Sequence, residues 1–129
     1  MKRLSLSSLA VGVLIFSTAS ARALDWTQSQ MTVSVPVGTP SVTVHYPFTN
    51  HSNHPVHILE IETSCGCTDA SSATMDVPSE GTGTVDAVFR TGNHRGRQSK
   101  IIYVLADDTL RSTELGLVIL IAAAPNSGK

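Results

Sequence analysis

Residues 42–49 have the sequence VTVHYPFT, in which apolar and polar side chains alternate one by one. The four apolar side chains fall on one side of an extended chain, and the four others fall on the opposite side. This period of two predicts a strand with one face in a hydrophobic core and one in solvent. Because Pro47 has no N–H donor, we expect the strand to lie at a sheet edge or to be unpaired on one side there.

Similar patterns recur along the chain, separated by turn-forming residues. Further strands are predicted at residues 31–37, 56–63, 84–90, 101–106 and 115–124. The last two segments are continuous apolar runs, whose lengths suit strands buried on both faces. No helical crossover of suitable length lies between the strands, which argues against a parallel α/β fold. The sequence therefore predicts an all-β protein, with an antiparallel β-sandwich favoured over a small barrel.

The alternation slips once, inside residues 56–63. Ile58 and Ile61 would point to opposite faces of a regular strand. A β-bulge near Ile58 and Leu59 would bring both isoleucines to the inner face, so we predict a bulge there. Residues 64–83 are rich in Ser, Thr, Ala and Gly, and we predict a long loop for them.

The N-terminus has the three parts of a secretory signal peptide. Lys2 and Arg3 precede an apolar stretch, and Ala21-Arg22-Ala23 forms a small-residue cleavage site. We predict a signal peptide at residues 1–23, a single domain at residues 24–125 and a polar tail at residues 126–129. The protein is thus expected to be exported, periplasmic or extracellular, with no membrane span in the mature chain.

The composition and the absence of known catalytic motifs exclude several classes of function. The 129 residues carry a formal net charge of −1, without the basic excess of a nucleic-acid-binding protein. The chain has no nucleophile elbow, no zinc-protease motif and no P-loop. Asp107 and Asp108 are adjacent and would point apart in an extended chain, which makes them a poor acid–base pair. The sequence predicts a non-enzymatic protein.

Cys65-Gly66-Cys67 is the motif with the most chemistry in it, and it has three interpretations. A bend at Gly66, which glycine permits, would let the two cysteines form a disulfide. So small a loop gives little stabilisation, about 1.5 kcal/mol before strain, so such a bridge suits redox exchange better than stability. Alternatively, two thiolates could bind Cu(I), a soft metal. Finally, Cys65 and Cys67 could be buried strand residues on one face.

The five histidines do not complete an obvious metal site. His51 and His54 precede the strand at residues 56–63, whereas Cys65 follows it, so about 26 Å of extended chain separates them. His57 is also too far from Cys65 along that strand. Met75 and His94 lie in predicted loops and stay open as ligands. Arg90, Arg95, Arg97 and Lys100 surround a predicted turn and are interpreted as solvated charges rather than an anion site. The Asn50-His51-Ser52 sequon is interpreted as chance.

Five motifs in a fixed order resemble those of a family of exported bacterial proteins, domain of unknown function 1573. They are Tyr46-Pro47-Phe48-Thr49-Asn50, Pro55-Val56-His57-Ile58, Cys65-Gly66-Cys67-Thr68, Pro78 with Gly81, and Gly96-Arg97-Gln98-Ser99-Lys100. The resemblance spans residues 46–104, and Ser79 stands where the family has glycine. It implies an immunoglobulin-like sandwich, similar to domains of ciliary and centrosomal proteins, and it implies no activity.

Three functional hypotheses follow. The first is a non-enzymatic exported domain that binds an unknown protein partner or has a structural role, with strand addition at the edge formed by the Pro47 strand. The second is copper binding through Cys65 and Cys67. The third is thiol–disulfide exchange at the same pair, whose oxidation and metal state the sequence leaves open.

Overall fold

The structure is a computed structural model and describes residues 22–122. The predicted signal peptide, apart from Arg22 and Ala23, and the predicted polar tail lie outside the described residues. Within residues 22–122 the chain forms nine strands and no helix. The strands are β1 (Leu24–Trp26), β2 (Gln30–Pro36), β3 (Ser41–Asn50), β4 (Val56–Thr63), β5 (Thr68–Ser72), β6 (Asp76–Val77), β7 (Thr82–Arg90), β8 (Gly96–Ala106) and β9 (Thr113–Ala122).

The strands form two sheets that pack into a β-sandwich. The four-stranded sheet has the order β1-β3-β7-β5, and the five-stranded sheet has the order β2-β9-β8-β4-β6. The inward side chains of both sheets form one apolar core. It contains Tyr46, Phe48 and Phe89 from the first sheet, and Ile102 and Leu117 from the second. The predicted all-β sandwich is therefore correct, and the period of two in β3 identifies its buried face.

One strand pair departs from the antiparallel prediction. β2 runs parallel to β9, with Gln30 opposite Gly116 and Pro36 opposite Ala122. Alternation identifies β2 as a half-buried strand, but it carries no information about the direction of the neighbouring strand. Here β1 pairs with β3 in one sheet, and the chain then crosses to the other sheet to lie beside the last strand.

β3 is not an edge strand, because β1 lies on one side of it and β7 on the other. The second alternative is confirmed: β1 pairs only with Phe48–Asn50, so β3 has no register partner on that side at Pro47. Pro47 is tolerated for a local reason. Its carbonyl accepts a 3.0 Å hydrogen bond from the Thr27 N–H, one residue beyond the end of β1. In an antiparallel strand the N and the C=O of one residue point to the same side. The nitrogen of Pro47, which carries no hydrogen, therefore faces the point where the pairing with β1 ends.

The predicted bulge is confirmed, and the predicted loop is wrong. The register of β4 on β8 shifts between Ile58 and Glu60, which leaves Leu59 60% exposed and packs Ile61 against the core. Residues 64–83 are not one loop, because they contain β5 and β6. β5 has the sequence TDASS and contributes little apolar surface, so only its pairing with β7 reveals it as a strand.

The apolar runs of β8 and β9 are buried on one face only. Ile102 and Val104 are buried in the core, whereas Ile101 and Tyr103 are half-buried on the outer face of the five-stranded sheet. In β9, Leu117 is fully buried and Leu120 is 36% exposed. The prediction of burial on both faces is therefore wrong for the described residues, and the outer face of this sheet is unusually apolar.

Candidate functional site

The two cysteines lie in the turn that joins β4 to β5, where the chain crosses from one sheet to the other. The structure joins Cys65 to Cys67 by a disulfide with a Cα–Cα distance of 5.3 Å. The Thr68 N–H donates to the Cys65 carbonyl over 3.3 Å, which closes the turn. The pair therefore does not belong to a strand, so the interpretation as alternating strand residues is wrong. Gly66 has no positive φ, so the bend does not depend on a conformation special to glycine.

Arg90, at the end of β7, attaches this turn to the four-stranded sheet. Its guanidinium donates a 2.6 Å hydrogen bond to the Gly66 carbonyl and forms an ion pair with Asp69. The Arg90 N–H donates to the Cys67 carbonyl over 2.8 Å. The backbone and the side chain of Arg90 both bond the cysteine turn. These bonds fix the position of the turn against the four-stranded sheet and place the guanidinium beside it.

Two hydrogen-bond donors lie near the sulfur atoms of the cysteine pair. The Cys67 N–H lies 3.2 Å from Cys65 Sγ, and Thr68 Oγ1 lies 3.8 Å from Cys65 Sγ and 3.9 Å from Cys67 Sγ. Both cysteines are half-buried, so solvent reaches the turn. Donors at these positions stabilise a thiolate more than a thiol, since the charged sulfur is the stronger acceptor.

The histidines are distributed as the strand lengths predict. His51 and His54 lie before β4 and Cys65 lies after it, so β4 separates them. His45 and His57 are exposed and bond carboxylates: each Nδ1 lies 2.5 Å from an oxygen of Asp86 or Asp76, respectively.

Met75 and His94, left open by the sequence, lie at opposite ends of the sandwich. The Met75 carbonyl accepts from Ile58 at the start of β4, away from the cysteines. His94 lies in the β7–β8 turn, at the cysteine end, but its Nδ1 bonds the Thr91 carbonyl. Among residues 22–122, no group of three or more His, Cys, Asp or Glu side chains is arranged to hold a metal ion.

The remaining charged candidates have separate structural partners. The Asp107 carboxylate accepts from the His57 N–H, whereas that of Asp108 accepts from the Ala23 N–H. They point to different partners, as adjacent residues should. Two clefts of about 280 and 480 Å³ are both lined by Arg22, and neither includes a cysteine.

The four basic residues around the β7–β8 turn also diverge. Arg90 bonds the cysteine turn, Lys100 lies 5.8 Å from the centre of the Phe89 ring, and Arg95 bonds the His94 carbonyl. Arg97 is exposed on the outer face of the five-stranded sheet. Arg95 and Arg97 are exposed, as predicted for solvated charges, whereas Arg90 is held by the cysteine turn.

Asn50 is a structural centre that the sequence analysis missed. It is completely buried, and its Nδ2 donates to the carbonyls of His54 (2.9 Å), Val77 (3.1 Å) and Pro78 (3.2 Å). Its Oδ1 accepts from the N–H and hydroxyl of Ser52. The side chain thus joins the β3–β4 turn to β6, and a buried amide with this many bonds is not a glycosylation acceptor in the folded protein. The sequence signal for this role was the position of Asn50 at the end of the family motif Tyr46-Pro47-Phe48-Thr49-Asn50.

β2 is the longest of the strands that lie at a sheet edge in the described part of the chain. The Gly116 N–H donates to the Ser29 carbonyl over 2.8 Å, which fixes the ladder: Met31, Val33 and Val35 direct their backbone groups to β9. The N–H and C=O groups of Gln30, Thr32 and Ser34 therefore point outward. Pro36 ends this row, and its carbonyl bonds Thr39.

No membrane-spanning helix was found within residues 22–122. A family model described as protein of unknown function (DUF1573) matches residues 24–119. A comparison with curated proteins found no match.

Several solved structures share the fold at low sequence identity. A protein of unknown function from Porphyromonas gingivalis W83 has a TM-score of 0.67 at 7% identity over 77% of this chain, which spans 46% of that protein. The ASH / PapD-like domain 7 of human CEP192 has a TM-score of 0.61 at 12% identity, over 95% of this chain and 99% of that one. The CupB2 chaperone of Pseudomonas aeruginosa has a TM-score of 0.56 at 12% identity, over 79% and 57% of the two chains. At these identities the likenesses show the fold alone, a β-sandwich.

Proposed function

We propose that this chain, which belongs to the family of proteins of unknown function DUF1573, is an exported, non-enzymatic domain. In this proposal it binds a protein partner by strand addition at β2. The observation that carries the proposal is the row of outward backbone groups on Gln30, Thr32 and Ser34. An extended segment of a partner can pair with such a row and continue the sheet.

The other three edge strands are less suitable, and β3, an interior strand, is open towards β1 only at residues 41–46. β1 has three residues and β6 has two, whereas β2 has seven. β5 has five residues of small or polar character, with the sequence TDASS. Short and polar edges are common ways in which proteins avoid unwanted pairing. β2 instead alternates exposed polar residues with half-buried Met31, Val33 and Val35, so a partner strand would find both hydrogen bonds and an ordered register.

The structural neighbours support a binding role for this fold. The Pseudomonas aeruginosa match is named a chaperone, a class of protein whose work is to bind other proteins. At 12% identity this likeness concerns the fold alone, so the choice of β2 depends on the edge geometry of this chain.

A proline substitution on the free edge tests the proposal. Thr32→Pro removes an outward N–H and leaves the ladder to β9 intact, because Thr32 directs no backbone group to β9. Thr32→Val is the matched control, since it keeps the N–H. We expect immobilised wild type, Thr32→Val and a Cys65→Ser/Cys67→Ser variant to retain the same partner from a periplasmic extract, and Thr32→Pro to lose it. Equal retention by Thr32→Pro would exclude the β2 edge, and loss in the double cysteine variant would move the site to the turn.

A second candidate function is thiol–disulfide exchange at Cys65 and Cys67, favoured by the donors around the sulfurs. A thiolate of a protein dithiol would attack Cys67 Sγ, form a mixed disulfide and release Cys65 as a thiolate. The second thiol of that protein would then displace Cys67, so two electrons and two protons pass to the pair. The Cys67 N–H and Thr68 hydroxyl would stabilise the leaving Cys65 thiolate.

This candidate predicts a pair that is easily reduced. Equilibration with glutathione and with dithiothreitol, read by alkylation and intact mass, should give a potential well above about −300 mV, the region of structural disulfides. Thr68→Val should lower that potential, whereas Thr63→Val should leave it unchanged because Thr63 bonds only carbonyls of the turn. A potential below this region, or no turnover with a thiol substrate, would exclude redox exchange.

Copper binding stays a prediction and requires the reduced pair, because each sulfur in a disulfide is bonded to the other. Anaerobic addition of Cu(I) to the reduced protein should then give one copper per chain by intact mass, and none in the Cys65→Ser/Cys67→Ser variant. No uptake by the reduced wild type would exclude it.

A further inference from the structure

The outer face of the five-stranded sheet carries an apolar stripe along β8 and β9. The stripe consists of Ile101, Tyr103, Leu105, Val118 and Leu120. All of them are on the side of the sheet that faces away from the core, and none is fully buried. Leu59, 60% exposed at the bulge in β4, adds apolar surface near this stripe. The next residue, Glu60, is exposed and pairs with Leu105, so a negative charge borders the stripe there.

The other sheet differs in this respect and serves as an internal comparison. The outer positions of β3 include Ser41, Thr43 and His45, and the last of these pairs with Asp86 on β7. β5 adds Asp69 and Ser71 at its outer positions. Both sheets pack on the same core, so core formation alone does not explain why one outer face is polar and the other apolar.

Charges of opposite sign lie at the two ends of the stripe. At one end, the register places Glu62 and Glu114 on the two strands that flank β8, both directly beside Tyr103. At the other end, Arg97 lies beside Leu120. Tyr103 is six positions along β8 from Arg97, which is about 20 Å in a strand.

This pattern is complementary to itself in one orientation. If two copies face each other with a two-fold axis parallel to the strands, Arg97 meets Arg97 and the glutamates meet glutamates. If the axis lies across the strands, β8 faces β8 in the opposite direction, and each Arg97 meets the position of Tyr103. The axis then passes between Ser99 and Ile101, the midpoint of the stripe.

We propose that a second copy of this chain covers the stripe, in a symmetric dimer whose sheets pack face to face. The partner's Arg97 lies over the ring of Tyr103, with Glu62 and Glu114 about 4.8 Å to either side, the spacing between neighbouring strands. Aligned sheets cross at about 30°, which keeps the facing strands close along the stripe. The apolar side chains supply buried area, and the charges select the antiparallel orientation.

A second copy fits this face because one chain supplies both halves of the charge pattern. The six Lys and Arg of residues 24–129 are outnumbered by ten Asp and Glu, so simple electrostatics would keep copies apart. Contact through this face brings together unlike charges despite that excess. The dimer is separate from strand addition, because it uses the face of the sheet and leaves the backbone edge of β2 unused.

Charge exchange tests the dimer. Sedimentation equilibrium of the purified protein, with its N-terminus defined by intact mass, should show a concentration-dependent dimer. We expect Arg97→Glu, and separately Glu62→Arg with Glu114→Arg, to raise the dimer Kd at least about tenfold. Combining all three substitutions should restore dimerisation, because the unlike pairs are then rebuilt with exchanged signs. Thr43→Glu, on the polar outer face of the other sheet, is the control and should leave Kd unchanged.

The variants also separate the face from the edge. A dimer formed by pairing of two β2 edges would be lost in Thr32→Pro and kept in Arg97→Glu, which would overturn the proposal. A monomeric wild type at millimolar concentration, or failure of the triple exchange to recover a folded dimer while each partial exchange is folded, would overturn it as well. Circular dichroism of every variant establishes that folding is retained.

Discussion

The Tyr46 hydroxyl donates a buried 2.9 Å hydrogen bond to the Gly116 carbonyl and so joins the two sheets through the core. Tyr46 belongs to β3, inside the four-stranded sheet, and Gly116 belongs to β9, which pairs with the parallel edge strand β2 of the other sheet. Burial raises the pKa of Tyr46 to about 12, because the phenolate would lose its hydration inside the core. This contact therefore couples sheet packing to the protonation of one phenol.

The first prediction concerns that coupling. Tyr46→Phe should lower the free energy of unfolding by about 1 kcal/mol near neutral pH, since one buried hydrogen bond is lost. The folded pKa of Tyr46 lies above the unfolded value of 10.0, so wild type should lose stability as pH rises from about 10 towards 12. Urea denaturation at pH 7 and pH 11 measures both effects. Tyr46→Phe should lack that alkaline loss, and an equal loss in both proteins would contradict the assignment.

Asn50 provides the second prediction. Asn50→Ala should lower the free energy of unfolding by about 3 kcal/mol, because the carbonyls of Val77 and Pro78 lose their donor in a buried place. Asn53→Ala is the control, since Asn53 is exposed in the same turn and should change stability by less than about 0.5 kcal/mol. Denaturant midpoints of the two variants decide the question. Similar midpoints would mean that Asn50 does not hold the turns together.

The third prediction compares two glycines. A Cβ at Gly83 would collide with the ring of Phe48, so Gly83→Ala should cost about 1–3 kcal/mol through overpacking. Gly66→Ala should be neutral or slightly stabilising, because nothing lies within 4 Å of the added carbon and φ is not positive. Thermal unfolding measures both. A large loss in Gly66→Ala would show that the cysteine turn needs glycine after all.

The fourth prediction is a pH dependence at the β4–β6 contact. The hydrogen bond to Asp76 raises the pKa of His57, with a smaller contribution from the charge of Asp107. A raised folded pKa stabilises the protein below the unfolded value near 6.5, and this stabilisation is lost as pH rises through the folded value. Asp76→Asn should therefore lower Tm more at pH 5.5 than at pH 8. A loss that is equal at both pH values would assign Asp76 a role independent of His57 protonation.

The fifth prediction concerns the cysteine pair. Cys65→Ser with Cys67→Ser should cost at most about 1.5 kcal/mol, because the bridge closes a very small loop. The variant should remain folded and keep its cooperative transition in calorimetry. Unfolding of the variant at 25 °C would show instead that the bridge is a main source of stability.

Local patterns in the amino-acid sequence predicted much of the fold. The alternation in residues 42–49 identifies β3 and its buried face, and the slip in β4 identifies the bulge beside Ile58. These features follow from short-range geometry, since the side chains of a strand alternate whatever lies beside it. The five polar residues of β5 lack such a pattern, and long-range pairing with β7 alone makes them a strand.

The amino-acid sequence by itself thus determined an all-β chain, its main strands and the family to which it belongs. Tertiary structure decided the rest: the parallel neighbour of β2, the interior place of Pro47, the bonds of Asn50 and the attachment of the cysteine turn by Arg90. The physical reason is that these are relationships between residues far apart in the chain. A strand's own residues fix which face is apolar, whereas its neighbours, their direction and its free edge depend on how two sheets share one core.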